Sequence, residues 1–546
     1  MIYIISDFPM NAGSRALGAY RIATVLRNAG YEVDVIDFSC VWSPAEILEY
    51  ISRGPKPTWI GFSTTFSAPK PSARQSGEGS ELNDHLTRFG SFDRSFFNDI
   101  KSLAPVVIGG ARATRLKYFY DADYFLTGYA DQAVVNLTKY ITKQSTELLA
   151  IEETVVPISS YYTETYAVKV INCQDSYPVV AVDNIRTAFV DNDFIQPGEV
   201  LPLEISRGCI FKCAFCAFPL NGKSKNDYVR PCEQLVEDIT TYQEKYQSYN
   251  YLLMDDTFND TVEKMRMMAS VQEQVPERFN FWSYGRLDLL AAKDEMIDLI
   301  GPTGWKYFSF GVETFNKAAG SKVGKGGDID RQKLALQKIK DRYPESWFLL
   351  EMIVGLPGDN KDSIMESLNW LVRNPKLWDE LNFKGLGINN PKYYTWVSDI
   401  SKNPAKYGIT FKNPDSTDPL LKWKHDTMDG SEIGPIVREI TGRINMISQY
   451  SSSNTVSAAG RHKQIIHQAD MLGLNYDIVK THYNGKFNVA WFLTTFTFYH
   501  NYKVKKLATR NLKPMVNRTT DPVWMPKNLV NEQYYPLEIK KGSLLS

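Results

Sequence analysis

Ser206-Arg207-Gly208-Cys209-Ile210-Phe211-Lys212-Cys213-Ala214-Phe215-Cys216 follows the apolar run that starts at Leu201. Three of the chain's six cysteines therefore stand at the spacing Cys-x-x-x-Cys-x-x-Cys. At this cysteine frequency chance gives that spacing in roughly one chain in a thousand. Six cysteines in 546 residues are too few for a disulfide scaffold, so a cluster of three is a metal or reactive site. A loop after a buried strand can wrap three thiolates around one cuboidal iron-sulfur cluster, leaving a fourth iron open. A structural zinc ion is the alternative, but it normally takes four ligands, and no histidine or fourth cysteine stands at zinc-finger distance. Cys232, beside Pro231 at a helix start, reads as a packed thiol.

Working outward, the loop opens a regular alternation. Strands are expected at 203–206, 251–255, 280–284, 305–312, 347–355 and 381–388, with helices at 232–246, 261–274, 294–300, 330–341 and 361–372. Six units are fewer than the eight of a closed barrel, so residues 201–390 are expected to form a partial (β/α)6 barrel whose active edge is the carboxyl ends of its strands. Upstream, apolar runs at 2–6, 31–38, 58–63, 105–110 and 123–128 alternate with amphipathic stretches such as 14–28, the rhythm of a doubly wound, Rossmann-like parallel α/β sheet over residues 1–144. Its strand ends carry Ser63, Thr64, Gly109, Gly110 and Gly128, where open sheets of this type bind ligands and where glycine also makes tight turns. An irregular insert occupies about 67–96, a β-rich connector 145–200 with strands at 154–158, 166–171 and 179–182, and a mixed, α-rich C-terminal region 391–546, a candidate substrate-binding part.

These motifs resemble the radical S-adenosylmethionine (SAM) enzymes, in which such a three-cysteine loop follows the first strand of a partial barrel. The resemblance implies a 4Fe-4S cluster on Cys209, Cys213 and Cys216 whose open iron chelates SAM, and reductive cleavage of SAM to a 5'-deoxyadenosyl radical. It implies that the aromatic Phe215 precedes the third ligand, that Asp255 and Asp256 in Met254-Asp255-Asp256-Thr257-Phe258-Asn259 lie near the methionine amino group, and that Arg286 and Glu313 line the carboxylate and ribose. Leu356, in Gly355-Leu356-Pro357-Gly358, matches the segment that packs on adenine. Beside these roles stand plainer ones: a strand end with Asn259 capping a helix, and an interstrand ion pair.

The N-terminal sheet, with Ser63-Thr64, Gly109-Gly110 and Gly128-Tyr129-Ala130-Asp131, resembles the domain of the subfamily that binds cobalamin ahead of the barrel. The Asp-x-His-x-x-Gly element is missing, since the first histidine is His85 in the insert. With cobalamin the implied reaction is methyl transfer to an unactivated carbon; without it, rearrangement, cyclisation or oxidation after hydrogen abstraction. Methylthio transfer to RNA expects three further cysteines upstream, and only Cys40 and Cys173 precede the loop. A non-catalytic iron-sulfur protein is the reading from outside enzymes. An electron donor such as flavodoxin or ferredoxin is implied, and the substrate is not readable.

With 43% hydrophobic and 23% charged residues the chain should fold rather than stay disordered. Sixty-two basic residues balance 62 acidic ones, which gives no global field for nucleic acid or an anionic membrane. The N-terminus lacks a secretory pattern and the apolar stretch around 490–499 is too short to span a bilayer, so the cytoplasm is expected. Lys-Val-Gly-Lys-Gly-Gly at 322–327 lacks the Walker spacing and reads as a solvated turn. His462 and His467 read as structural, and the basic run 503–506 as surface.

Overall fold

The computed structural model describes residues 1–6, 14–39, 42–64, 94–117, 121–148, 151–157, 165–173, 185–218, 220–224, 226–391, 394, 396–415, 420–447, 455–456, 499 and 501–514. The expected strand at 179–182, most of the insert, and His85, His462 and His467 lie outside them. The chain forms two compact units, residues 1–202 with 469–546, and residues 203–468. No described helix is long and apolar enough to cross a membrane.

The first unit is built on strands β1 (Ile2–Ser6), β2 (Val33–Ile36), β3 (Trp59–Ser63), β4 (Val106–Gly109), β5 (Tyr124–Thr127), β6 (Ile151–Pro157) and β7 (Thr165–Asn172), in the sheet order β2-β1-β3-β4-β5-β7-β6. The first five are parallel and almost wholly buried, as the strands of parallel sheets are. The chain order reverses between β1 and β3, which places the switch point at their carboxyl ends. The stretch read as a connector is thus part of this sheet: β7 extends it parallel to β5, and β6 returns antiparallel along β7.

Its core takes in Tyr3, Ile5, Phe38, Trp42 and Phe125, together with Tyr499, Tyr502 and Leu507 from the other end of the chain. Residues 501–508 are helical, and the basic run on this helix is not a surface feature. Lys503 and Lys506, three apart on one helix face, are 4% and 0% exposed. Lys503 Nζ binds Glu46 at 3.1 Å, Lys506 binds Asp34 and the Asn192 carbonyl, and the Tyr502 hydroxyl donates to the Val35 carbonyl at 2.9 Å. Tyr499 stacks on Phe38 with centroids 4.0 Å apart. The region 391–546 is accordingly shared between the two units.

The second unit contains β8 (Leu201–Leu203), β9 (Asn250–Leu253), β10 (Asn280–Arg286), β11 (Trp305–Glu313), β12 (Trp347–Val354) and β13 (Glu380–Gly385). Adjacent strands from β9 to β13 pair in parallel, and helices Cys232–Tyr246, Val262–Gln274, Asp294–Thr303, Ile329–Arg342 and Lys361–Arg373 follow β8, β9, β10, β11 and β12 in turn. Phe308, Phe310 and Phe348 pack together on the helix-covered face, where Lys340 also lies over Phe348. Beyond β13 come a small antiparallel sheet of β14 (Thr410–Phe411), β15 (Trp423–His425) and β16 (Met428–Asp429), the helix Ile433–Ile447, and β17 (Thr455–Val456), which pairs antiparallel with β13.

Removing one partner of a buried ion pair typically costs about 3–5 kcal/mol. Lys506→Met, which leaves the fully buried Asp34 with the Tyr50 hydroxyl at 2.7 Å and only the more distant Arg510, at 3.7 Å, as cation, is expected to lower the stability of the first unit by up to that order in a urea titration followed by tryptophan fluorescence. An unchanged midpoint would show that the C-terminal helix does not hold this unit together.

Candidate active site

After β8 the chain turns sharply into the cysteine loop. Gly208 has φ +119°, and a Cβ there would sit 2.6 Å from the Leu220 carbonyl oxygen, so only glycine fits. Leu220 accepts from the Cys209 amide at 3.2 Å, and the Gly222 and Lys223 amides both donate to the Cys209 carbonyl, at 2.7 and 3.0 Å. The Cys216 amide donates to the Cys213 carbonyl at 3.0 Å, closing a turn that brings the second and third cysteines together. The Ala214 amide donates to the Val323 carbonyl at 2.8 Å. Of residues 322–327, Lys322, Gly324, Gly326 and Gly327 are exposed, as expected of a solvated turn, but Val323 is fully buried, and Lys325, 7% exposed, pairs with Glu313 at 3.3 Å.

Each sulfur of the loop meets an N–H donor. The Phe211 amide donates to Cys209 at 3.5 Å, Arg286 Nη1 to Cys213 at 3.3 Å and Asn221 Nδ2 to Cys216 at 3.2 Å. Burial pushes the Cys209 and Cys216 thiols up, against the pull of these donors. Hydrogen bonds onto sulfur favour thiolate and tune an iron-sulfur cluster, so the donor set fits one. No three His, Cys, Asp or Glu side chains among the described residues converge as one ion would need. A cuboidal cluster presents three separate irons, one to each thiolate.

The loop is fastened from beneath by a group that sequence reasoning missed. Lys264, on the helix Val262–Gln274, is 1% exposed and its ammonium reaches Ser206 Oγ at 2.8 Å, the Thr257 carbonyl at 2.8 Å, Asp255 at 2.9 Å and Asp260 at 3.5 Å. Asp255 also accepts from the Ile205 and Ser206 amides, both at 3.2 Å, and the Tyr228 hydroxyl donates to Asp260 at 2.7 Å. The one legible signal was the spacing of Asp260 and Lys264, four apart across the helix start.

The residues expected around the cofactor fall into two groups. Asp255 is committed to this buried network. Asp256 is half-buried, with no side-chain hydrogen bond or ion pair among the described residues, and burial followed by Asp255 pushes its carboxyl up to about 7. Arg286 is held bidentately by Asp288, at 3.0 and 2.5 Å, and lies 3.9 Å over the Phe211 ring. Its backbone is clamped by Asn259, whose side chain bonds both the amide and the carbonyl of Arg286 at 2.8 and 2.9 Å. Asn259 is thus not the helix cap; Thr261 is, accepting from the Lys264 amide. Glu313 takes φ +67° where the β11–β12 register shifts, a strained conformation for a side-chain-bearing residue. Leu356 is fully buried in an apolar cluster against which Phe215 packs. The room that Gly355 leaves is filled by Trp423, which a Cβ would approach to 2.8 Å.

In the first unit, Ser6 ends β1 beside Ser63 of β3, and its buried hydroxyl has no partner among the described residues. Thr64 donates its hydroxyl to the Gly109 carbonyl at 2.7 Å. Gly110 and Gly128 have φ of +102° and +96°, which turns the chain tightly at the ends of β4 and β5. A methyl group on Gly109 would meet only Leu126, at 3.8 Å, so nothing in the protein demands glycine there.

Lys264→Met would leave two carboxylates buried without their cation, a loss of about 3–5 kcal/mol. Iron and sulfide content per chain after anaerobic reconstitution is expected to fall several-fold; full loading would show that the cysteine loop stands without this anchor.

A family model described as the Radical SAM superfamily matches residues 203–371. The ribosomal protein uS12 methylthiotransferase RimO of Bdellovibrio bacteriovorus is 25% identical over 190 residues, 32% of this chain and 40% of that protein. The same enzyme of Nitratiruptor sp. is 25% identical over 176 residues, 31% and 40%. The match thus spans well under half the length of these curated relatives. Among solved structures, the radical SAM methyltransferase TsrM from Kitasatospora setae, with cobalamin and 4Fe-4S cluster bound, has TM-score 0.57 at 12% identity over 93% of this chain and 99% of that one. The cobalamin-dependent SAM radical enzyme OxsB, with aqua-cobalamin bound, has TM-score 0.53 at 13% identity over 91% and 73%. At such identities the likeness is one of fold. Residues 203–371, which open on the three-cysteine loop, thus match the radical SAM superfamily, and the remainder of the chain is like TsrM and OxsB in fold.

Proposed function

We propose that the protein cleaves SAM reductively at a 4Fe-4S cluster held by Cys209, Cys213 and Cys216, and that with cobalamin on its N-terminal sheet it transfers a methyl group to an unactivated carbon. The observation that carries the reading is the cysteine loop itself, with one N–H donor on each sulfur and a buried ion network below it. When bound, the cluster supplies the electron, and SAM the 5'-deoxyadenosyl radical or the methyl group. An external donor such as flavodoxin or ferredoxin would feed it.

This chain's residues bind and orient. The uncommitted carboxyl of Asp256 suits a cationic amino group, which would return it to the charged form. Arg286 places its positive charge on Cys213 and stabilises that thiolate, while Asp288 fixes its direction. Glu313, raised by burial and restrained by Lys325, offers acceptor oxygens at the strand end where a ribose would lie. Phe215 would offer apolar surface to the adenine, backed by the cluster in which Leu356 is fully buried.

For cobalamin, the support is the sheet order with its switch point at Ser6 and Ser63, the orphaned Ser6 hydroxyl, and small residues at Gly109, Gly110 and Gly128. Methylthio transfer, the activity of the RimO relatives, is disfavoured by the cysteine count. Only Cys40 and Cys173 lie upstream, and Cys173 is 1% exposed with its thiol pushed up to about 12 by burial.

Anaerobically reconstituted protein given SAM and dithionite is expected to form 5'-deoxyadenosine, and Cys213→Ala to reduce it to background. Turnover by that variant would defeat the assignment. Protein purified from cobalamin-fed cells should carry the visible absorbance of the corrin; its absence would leave hydrogen abstraction without methyl transfer.

A further inference from the structure

The sheet of the second unit has a second face, turned away from its helices. The pairing of β10 to β13 puts Tyr284, Ser309, Leu349 and Glu380 in one row across it, and Arg286, Gly311, Glu351 and Asn382 in the next row toward the active edge. Trp282, Tyr307, Trp347 and Leu349 pack into a small apolar cluster of their own on this face, separate from the helix-side core. Beside it Glu351, Glu380 and Asn382 are half-buried. Tyr284 is 43% exposed, unusual for a large ring on a central strand, and sits edge-on to Trp282 with centroids 4.7 Å apart. Ser309, in the same row, is fully buried, with a hydroxyl that has no partner among the described residues.

Glu351 and Glu380 are diagonal neighbours on adjacent strands. Their one cation is Lys384, 3.4 Å from Glu351 and two-thirds exposed, so that pair is weak and easily replaced. Burial and then Glu351 push the Glu380 carboxyl up to about 7, against the pull of Lys384. Arg286 and Lys325 on this face are taken up by Asp288 and Glu313, so among the described residues Glu351 and Glu380 share Lys384 alone, next to two ring faces and a spare hydroxyl, an arrangement that stabilises an ammonium by ion pairing and cation–π attraction together.

We propose that this face binds the substrate through a cationic amine seated between Glu351, Glu380 and the rings of Trp282 and Tyr284, with the substrate's apolar body on the floor around Trp347. The inference rests on the reading of the chain as a radical SAM enzyme and supplies that reading with a substrate class. Its test is binding rather than turnover. Reconstituted holoprotein is titrated calorimetrically with 2-phenylethylamine, 2-phenylethanol and 3-phenylpropionate, which share a body and differ in charge. The amine is expected to bind at least tenfold tighter than the alcohol, and the carboxylate not measurably. Glu351→Gln with Glu380→Gln should weaken the amine at least tenfold and spare the alcohol; Glu351→Gln alone should do so in part if the double variant folds poorly. Equal binding of amine and alcohol, preference for the carboxylate, no binding of the amine at millimolar concentration, or indifference to the substitutions would overturn the proposal. Formation of 5'-deoxyadenosine is followed in the same preparation. Amine preference without it leaves the site standing and removes the radical reading, and the reverse result does the opposite.

Discussion

The site depends on one buried ammonium. Lys264 touches both the segment leading into the cysteine loop, through Ser206, and the turn after β9, through Asp255 and the Thr257 carbonyl. Burying an ion costs several kcal/mol unless its partners are numerous and well placed. Here two carboxylates, a hydroxyl and a carbonyl satisfy it, and Tyr228 and two loop amides bond to the carboxylates in turn, leaving Asp260 Oδ1 to the ammonium at 3.5 Å. Such a network has few alternative arrangements, which is what a loop of eleven residues with three reactive thiols needs from its support.

The two faces of the second sheet divide the work. On the helix side Phe258, Phe281, Trp305, Phe308, Phe310 and Phe348 interlock ring against ring and make the strands rigid. On the other side the same strands present carboxylates, an exposed tyrosine and a strained Glu313. The rigidity of one face is what allows the other to hold uncompensated polar groups and an unfavourable backbone angle in place.

Much of this was legible in the sequence because it is local. Hydrophobic periodicity marks the helix Cys232–Tyr246 to the residue and, β17 apart, the strand positions of both sheets to within a few residues, and the cysteine spacing marks the loop. What periodicity lacks is long-range pairing. Nothing in residues 151–172 says that their strands join β5, and nothing in 503–506 says that two lysines turn inward to Glu46 and Asp34, more than 450 positions away. Residues 322–327 look like a glycine-rich turn, yet their carbonyls and Lys325 dock on the cysteine loop and on β11. Asp255 and Gly355 matched a cofactor pattern by type and position, whereas their actual neighbours, Lys264 and Trp423, come from segments that no motif connects to them.

The central claim is that three thiols hold a 4Fe-4S cluster with one iron open to SAM. Electron paramagnetic resonance of the reduced, anaerobically reconstituted protein tests it most directly. The account predicts a cubane signal whose g-values shift when SAM is added; a signal unchanged by SAM, or the absence of a cubane signal, would contradict it.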